Sequence, residues 1–233
     1  MFKLLLLVFP IFVFSTVLKV GKNEQFTTIK QAVSAAKSGD SILVHRGIYK
    51  EGNINITKSL SLIGIGLPIL DGEMKYEIIS FRANHILMKG FKIINSGEDE
   101  IANIGAVRLY DSQFSTIENN IFENNYFGIY VQRGFRCLIQ NNRIISHRAS
   151  SQEGSGDGIH AWVSEELWIK NNYIEGHKDG IYLEKVIKSY IYHNYSVKNL
   201  RYGLHFMFAD ENVYVNNTFD NNNAGVAVMY SNN

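Results

Sequence analysis

Along much of the chain, apolar and polar residues alternate in short runs, and the runs recur. Ile129-Tyr130-Val131 follows Gly128, Ile159-His160-Ala161 follows Gly158, Ile181-Tyr182-Leu183 follows Gly180, and Leu204-His205-Phe206 follows Gly203. A period of two is the mark of a strand with one buried face. A second apolar run precedes an Asn-Asn pair or its near equivalent in each unit: Ser115-Thr116-Ile117, Cys137-Leu138-Ile139, Leu167-Trp168-Ile169, Tyr190-Ile191-Tyr192 and Val213-Tyr214-Val215. The pairs fall at Asn119-Asn120, Asn141-Asn142, Asn171-Asn172, His193-Asn194 and Asn216-Asn217, in steps of 22, 30, 22 and 23 residues. The glycines Gly105, Gly128, Gly158, Gly180, Gly203 and Gly225 step by 23, 30, 22, 23 and 22. Two independent markers give one period, and both put an insertion of about eight residues at Ala149 to Gly156, a stretch rich in Ser and Gly.

A repeat this short cannot enclose its own apolar face, so successive coils must stack at the strand spacing of about 4.8 Å. The pattern predicts an all-β right-handed parallel β-helix over 41–233, with stacked asparagines satisfying turn backbone. Ahead of it, Thr27 to Lys37 has helical spacing at Ile29, Ala32, Val33 and Ala36, and Thr28 with Gln31 suits a capping box. Segment 16–40 is therefore expected to cap the open end of the solenoid, which would otherwise present unpaired edges. Residues 1–15 read as a signal peptide. Lys3 is followed by an apolar run from Leu4 to Phe14, too short for a membrane span of about 20 residues. The sequence stops at Ser231-Asn232-Asn233, in mid-repeat, which reads as a truncated chain or an end covered by a partner.

Stacking turns the period into columns. Two residues past each glycine, the outward column reads Val107, Tyr130, His160, Tyr182, His205 and Ala227. Four past, it reads Leu109, Gln132, Trp162, Glu184, Met207 and Met229. His205 and Met207 then share a strand face about 7 Å apart, with Met229 one coil above and Glu184 one coil below. Imidazole and thioether favour soft Cu(I), and these four residues are the candidate metal ligands. An apolar strip for docking is the other reading, and Tyr130, His160, Trp162 and Tyr182 are the candidate interface. His147 and His177 share a further column and either face one another or serve turn hydrogen bonds. Asp157 and Asp179, each before a repeat glycine, are either ordinary Asp-Gly turns or paired carboxylates for Ca²⁺ or glycoside cleavage.

Composition adds little to this picture but trims it. The net charge of +1 gives no bulk electrostatic case for nucleic acid or an anionic membrane surface. The single cysteine, Cys137, excludes an internal disulfide and reads as a small buried residue.

Four segments resemble the NosD family of accessory proteins for nitrous oxide reductase maturation. They are Gly156 to Trp162, Gly176 to Tyr182, Asn199 to Phe208 and Ala224 to Ser231; Arg201-Tyr202-Gly203-Leu204-His205-Phe206-Met207-Phe208 and Gly225-Val226-Ala227-Val228-Met229-Tyr230-Ser231 discriminate best. Ser38 to Val44 and Lys58 to Gly64 fit too, but exported β-helix carbohydrate enzymes share that pattern, with its CASH-type repeats. The resemblance implies a periplasmic, non-enzymatic protein of denitrification. It would help assemble the copper–sulfide CuZ centre of the reductase, with the ABC transporter subunits NosF and NosY and the copper chaperone NosL. Membrane contact would come through the transporter only. Family members are usually longer. The alternative is an exported β-helix polysaccharide lyase, hydrolase or epimerase, or a carbohydrate-binding module.

Overall fold

One inward residue per short strand is the repeating economy of the chain, and it works only by stacking. The computed structural model describes residues 15–98, 104–147 and 155–232, so the signal segment up to Phe14 and residues 148–154 of the insertion region lie outside the described residues. The rest forms about nine coils of a right-handed parallel solenoid with one short helix. Three parallel sheets run its length, one of nine strands and two of eight. The nine-stranded sheet begins at Val17–Val20 and Ser41–His45 and ends at Val213–Val215. The second sheet holds Ile121–Glu123, Arg143–Ile145, Tyr173–Glu175, Tyr195–Val197 and Thr218–Asp220; the third holds Phe127–Gln132, Ile159–Trp162, Asp179–Glu184, Tyr202–Met207 and Ala224–Met229.

The second-sheet strands, which follow the Asn pairs, are the ones that repeat reading did not single out. Ile121–Glu123, Arg143–Ile145 and Tyr173–Glu175 each bury one side chain, Phe122, Ile144 and Ile174. Isoleucine columns at Ile117, Ile139, Ile169 and Ile191, and at Ile129, Ile159 and Ile181, are fully buried. Each such side chain contributes roughly 1.5–3 kcal/mol of transfer free energy.

The Asn pairs behave as expected, with a division of labour. The first residue takes left-handed backbone: Asn119, Asn141, Asn171, His193 and Asn216 have φ between 52° and 55°. The second buries its amide in a ladder. Asn142 Oδ1 accepts from the Asn120 backbone N–H at 3.1 Å, Asn172 Oδ1 from Asn142 at 3.0 Å, and Asn194 Oδ1 from Asn172 at 3.1 Å. The corner after the third sheet is also left-handed at Asp111, Arg133, Val163, Lys185, Phe208 and Tyr230, where residue type gives no warning.

The predicted helix is present as Ile29–Ala35, with Thr28 capping the Gln31 N–H at 3.3 Å. Gln31 does not complete a capping box. The carboxylate of Glu51, from the next coil, accepts from the Ile29 and Lys30 N–H groups at 2.8 and 2.9 Å instead. Ile29, Ala32 and Val33 seat the helix on the core. Val17–Val20 pairs with Ser41–His45, so segment 16–40 supplies a strand of the solenoid as well as its cover. In the last described coil the interior positions Tyr214 and Val228 are 45% and 58% exposed. Cys137 is buried, its thiol donating to the Ser112 carbonyl at 3.2 Å, and burial pushes its pKa up to about 11.

Candidate functional site

The third sheet carries most of the predicted site residues, and its register can be followed strand by strand. Arg108, Tyr130, His160, Tyr182, His205 and Ala227 form one row. Tyr110, Gln132, Trp162, Glu184, Met207 and Met229 form the next. Val107 and Leu109 do not belong to these rows. Gly105 lies opposite Phe127, so Ala106 holds the place of the repeat glycine, and Val107 and Leu109 point into the core, fully buried. Arg108 and Tyr110 take their outward places, with the Arg108 guanidinium 4.4 Å from the ring centres of both Tyr110 and Tyr130.

Leaving the sheet outward does not expose the inner row. Rings one coil apart cover each other: Tyr130 and His160 are 4.5 Å apart between centroids, His160 and Tyr182 4.8 Å, Tyr182 and His205 4.6 Å. Tyr130, His160 and His205 are consequently buried, while Trp162 and Tyr182 are half-buried. As a docking face, Tyr130 and His160 are thus largely covered, because edge-to-face contacts with neighbouring rings take up their surface. His160 instead floors two shallow cavities. One, of about 310 Å³, is lined by Arg108, Tyr130, Gln132, Trp162 and Glu184 as well. The other, of about 200 Å³, includes Asp157, Lys178, Tyr182 and Arg201.

Asp157 and Asp179 are not turn residues. Asp179 opens the strand Asp179–Glu184, and both side chains are buried. Asp157 pairs with His160 Nδ1 at 3.0 Å and accepts from the Asp179 backbone N–H at 3.2 Å. Asp179 accepts from Arg201 Nε at 2.9 Å and Nη2 at 2.6 Å, from the Tyr202 N–H at 3.1 Å, and pairs with His205 Nδ1 at 2.9 Å. Burial alone would raise the Asp179 pKa, but Arg201 and then His205 outweigh it and hold the carboxyl below its ordinary value. A carboxylate only accepts, so each ring donates from Nδ1, and the neutral form of such a ring carries its lone pair on Nε2. Both Nε2 atoms are buried and lack a hydrogen-bond partner among the described residues. Arg201 was missed in the sequence. The i,i+3 spacing of Asp157 and His160 was a usable signal for such a pair, whereas the link from Asp179 to His205 crosses coils.

Glu184, Met207 and Met229 stand in one column as expected, half-buried, with His205 in the adjacent row. Among the described residues, no three His, Cys, Asp or Glu side chains converge as a metal cluster. His147 and His177 share a column but not a site: His147 is exposed and His177 is fully buried. His177 takes the place of an asparagine in a second ladder, and its backbone N–H donates to Asn199 Oδ1 at 3.1 Å. Burial pushes its imidazole pKa down to about 4, against an opposing effect of the Gly156 and Tyr126 backbone.

Residues 21–162 match the model of the right-handed beta helix region, and residues 145–233 match that of the periplasmic copper-binding protein NosD. No curated protein sequence matches the chain. Among solved structures, pectate lyase Pel9A is 12% identical with a TM-score of 0.61, over 94% of this chain and 78% of that one. The catalytic domain of a GH87 α-1,3-glucanase is 13% identical with a TM-score of 0.61, over 88% of this chain and 45% of that one. An alginate lyase from Paenibacillus sp. str. FPU-7 is 10% identical with a TM-score of 0.51, over 94% and 99%. At such identities the likeness is one of fold. No helix among the described residues is long and apolar enough to cross a membrane.

Proposed function

The chain belongs to the right-handed β-helix family, and from that premise we propose that it is a NosD-like periplasmic accessory protein for nitrous oxide reductase. In this reading it assists assembly of the copper–sulfide CuZ centre, beside an ABC transporter of the NosF and NosY type and the copper chaperone NosL, with copper as cargo. The observation that carries the reading is the match of residues 145–233 to the NosD model. Those coils include both buried Asp–His pairs and the strip of Met207 and Met229. An exported leader at 1–15 is part of the same proposal.

The test is deletion of the gene in its native host, followed by isolation of the reductase. The expected reductase lacks the CuZ absorption band and its share of copper, and the gene supplied on a plasmid restores both. A reductase with full copper–sulfide content from the deletion strain removes the proposed role.

A polysaccharide-active enzyme is the competing reading, supported by the fold and by the cavity lined with Tyr130, Trp162 and Glu184. Acid–base cleavage requires free carboxylates converging on one bond. Asp157 and Asp179 are instead committed to His160, Arg201 and His205. Turnover of polyuronates that disappears in Asp157→Asn would favour the enzyme.

A further inference from the structure

We infer that His205 Nε2 and the thioethers of Met207 and Met229 form a Cu(I) acceptor site, in which Asp179 is the positioning residue. The inference rests on the proposal that copper is the cargo of this protein. What it adds is where the ion sits and what prepares the site.

The first observation is the clamp on the imidazole. His205 is held at Nδ1 by Asp179, which is itself held by both nitrogens of the Arg201 fork. A carboxylate on one ring nitrogen is the usual outer partner of a metal-ligating histidine. It fixes the tautomer and raises the basicity of the other nitrogen. That other nitrogen is buried and has no hydrogen-bond partner among the described residues. A buried lone pair without a donor carries a cost that a bound cation would remove.

The second observation is direction. Asp179 lies level with Tyr202, three residues before His205 along the strand. Nδ1 is turned to that side. Nε2 lies diagonally across the five-membered ring and is therefore turned toward the later side of the strand, where Met207 stands. Met229 is the register partner of Met207 one coil up.

The third observation is a gap in the ring row. Tyr130, His160 and Tyr182 meet edge to face and Tyr182 stacks on His205, but the partner of His205 in the following coil is Ala227. No ring of the following coil stands over the imidazole, whose remaining aromatic contact is the edge-on Tyr202 ring of its own coil at 5.0 Å. The unbranched chains of the two methionines can swing to a ligand at little cost. One imidazole nitrogen and two thioethers suit Cu(I), and they suit oxygen-seeking divalent ions poorly. Glu184, one coil below Met207, is a hard donor. Its part is to offset the charge of the ion rather than to ligate it.

His160 supplies an internal comparison. A carboxylate, Asp157, likewise holds its Nδ1, without an arginine fork behind it, and its Nε2 likewise lacks a partner among the described residues. Its neighbours in the next row are Trp162 and, one coil on, Glu184, with no sulfur. The geometry thus assigns soft-metal chemistry to His205 alone of the two.

The experiment is anaerobic titration of the purified chain with Cu(I) against a chromophoric chelator such as bicinchoninate, followed by X-ray absorption of the loaded protein. The wild type is expected to take one Cu(I) with sulfur in its first coordination sphere. Met207→Leu/Met229→Leu conserves volume and is expected to bind at least about tenfold more weakly and to lose the sulfur scattering. Asp179→Asn is expected to weaken binding about 10–100-fold while the sulfur scattering remains at saturating copper. His160→Gln is expected to bind as wild type does. Equal affinity of the double methionine variant and wild type, or wild-type copper without sulfur ligands, overturns the site and leaves the accessory role standing. No Cu(I) binding by wild type overturns the site and direct copper carriage together, while the deletion phenotype still reports on the accessory role.

Discussion

His177→Asn should make the solenoid less sensitive to acid. The imidazole of His177 is fully buried at a corner where Asn125, Asn199 and Asn222 hold the equivalent ladder positions. Burial lowers its pKa from 6.5 to about 4. The unfolded chain therefore binds a proton that the folded chain refuses, between about pH 6.5 and pH 4. Stability is fully present above the unfolded value and is lost as pH falls through that window. The full difference of 2.5 units corresponds to about 3 kcal/mol, and about 2 kcal/mol of it is lost between pH 7.5 and pH 5. Against a total of about 5–15 kcal/mol for an ordinary domain, that is a large share. Asparagine at 177 cannot titrate. By the register that Asn125 and Asn222 follow, its amide would reach the Ile144 carbonyl. Urea unfolding at about pH 7.5 and about pH 5 measures the effect. With urea slopes of about 1–3 kcal/mol/M, the wild-type midpoint should fall by about 0.7–2 M more than that of the variant. Parallel shifts in the two proteins would refute the reasoning, because other carboxylates and histidines titrate alike in both.

Two further substitutions probe the scaffold. Asn172→Ala removes an amide that accepts from Asn142 at 3.0 and 3.1 Å and donates to the Ile139 carbonyl and Asn194 at 3.0 Å. It should cost about 2–4 kcal/mol, read as a lowered urea midpoint, since each stranded buried group costs about 1–3 kcal/mol. Cys137 should resist thiol reagents in the folded chain at pH 8 and react fully in denaturant, because burial holds its pKa near 11; rapid labelling of the folded chain would contradict its buried position.

Much of this molecule could be read from its sequence, because a solenoid converts a linear period directly into neighbours. Tyr182 and His205, 23 residues apart in the chain, stack at 4.6 Å as the column arithmetic required. The arithmetic failed where its marker was absent. Gly105 reads as the repeat glycine although Ala106 fills that place, which puts Val107 and Leu109 on the wrong face. The strands after the Asn pairs are three residues long and most bury at most one of them, too short a signal for periodicity. At the site, the columns were legible but the chemistry between them was not. Asp-Gly pairs usually mean turns, and nothing local to Asp179 announces that Arg201 and His205, 22 and 26 residues later, close on it. Burial of the inner row was also hidden, because it comes from ring against ring across coils rather than from hydrophobicity.

The long step in the repeat has a consequence for how such a protein can change. Gly128 and Gly158 are 30 residues apart where most repeats take 22 or 23. Yet Ile129 still pairs with Ile159, Tyr130 with His160 and Gln132 with Trp162. The strand pairing of the third sheet keeps its register across the extra residues. The corner after Arg143–Ile145 is in effect a splice point. Length added at that corner is thus absorbed before the third-sheet strand begins, and the coils that hold Asp179 and His205 keep their pairing.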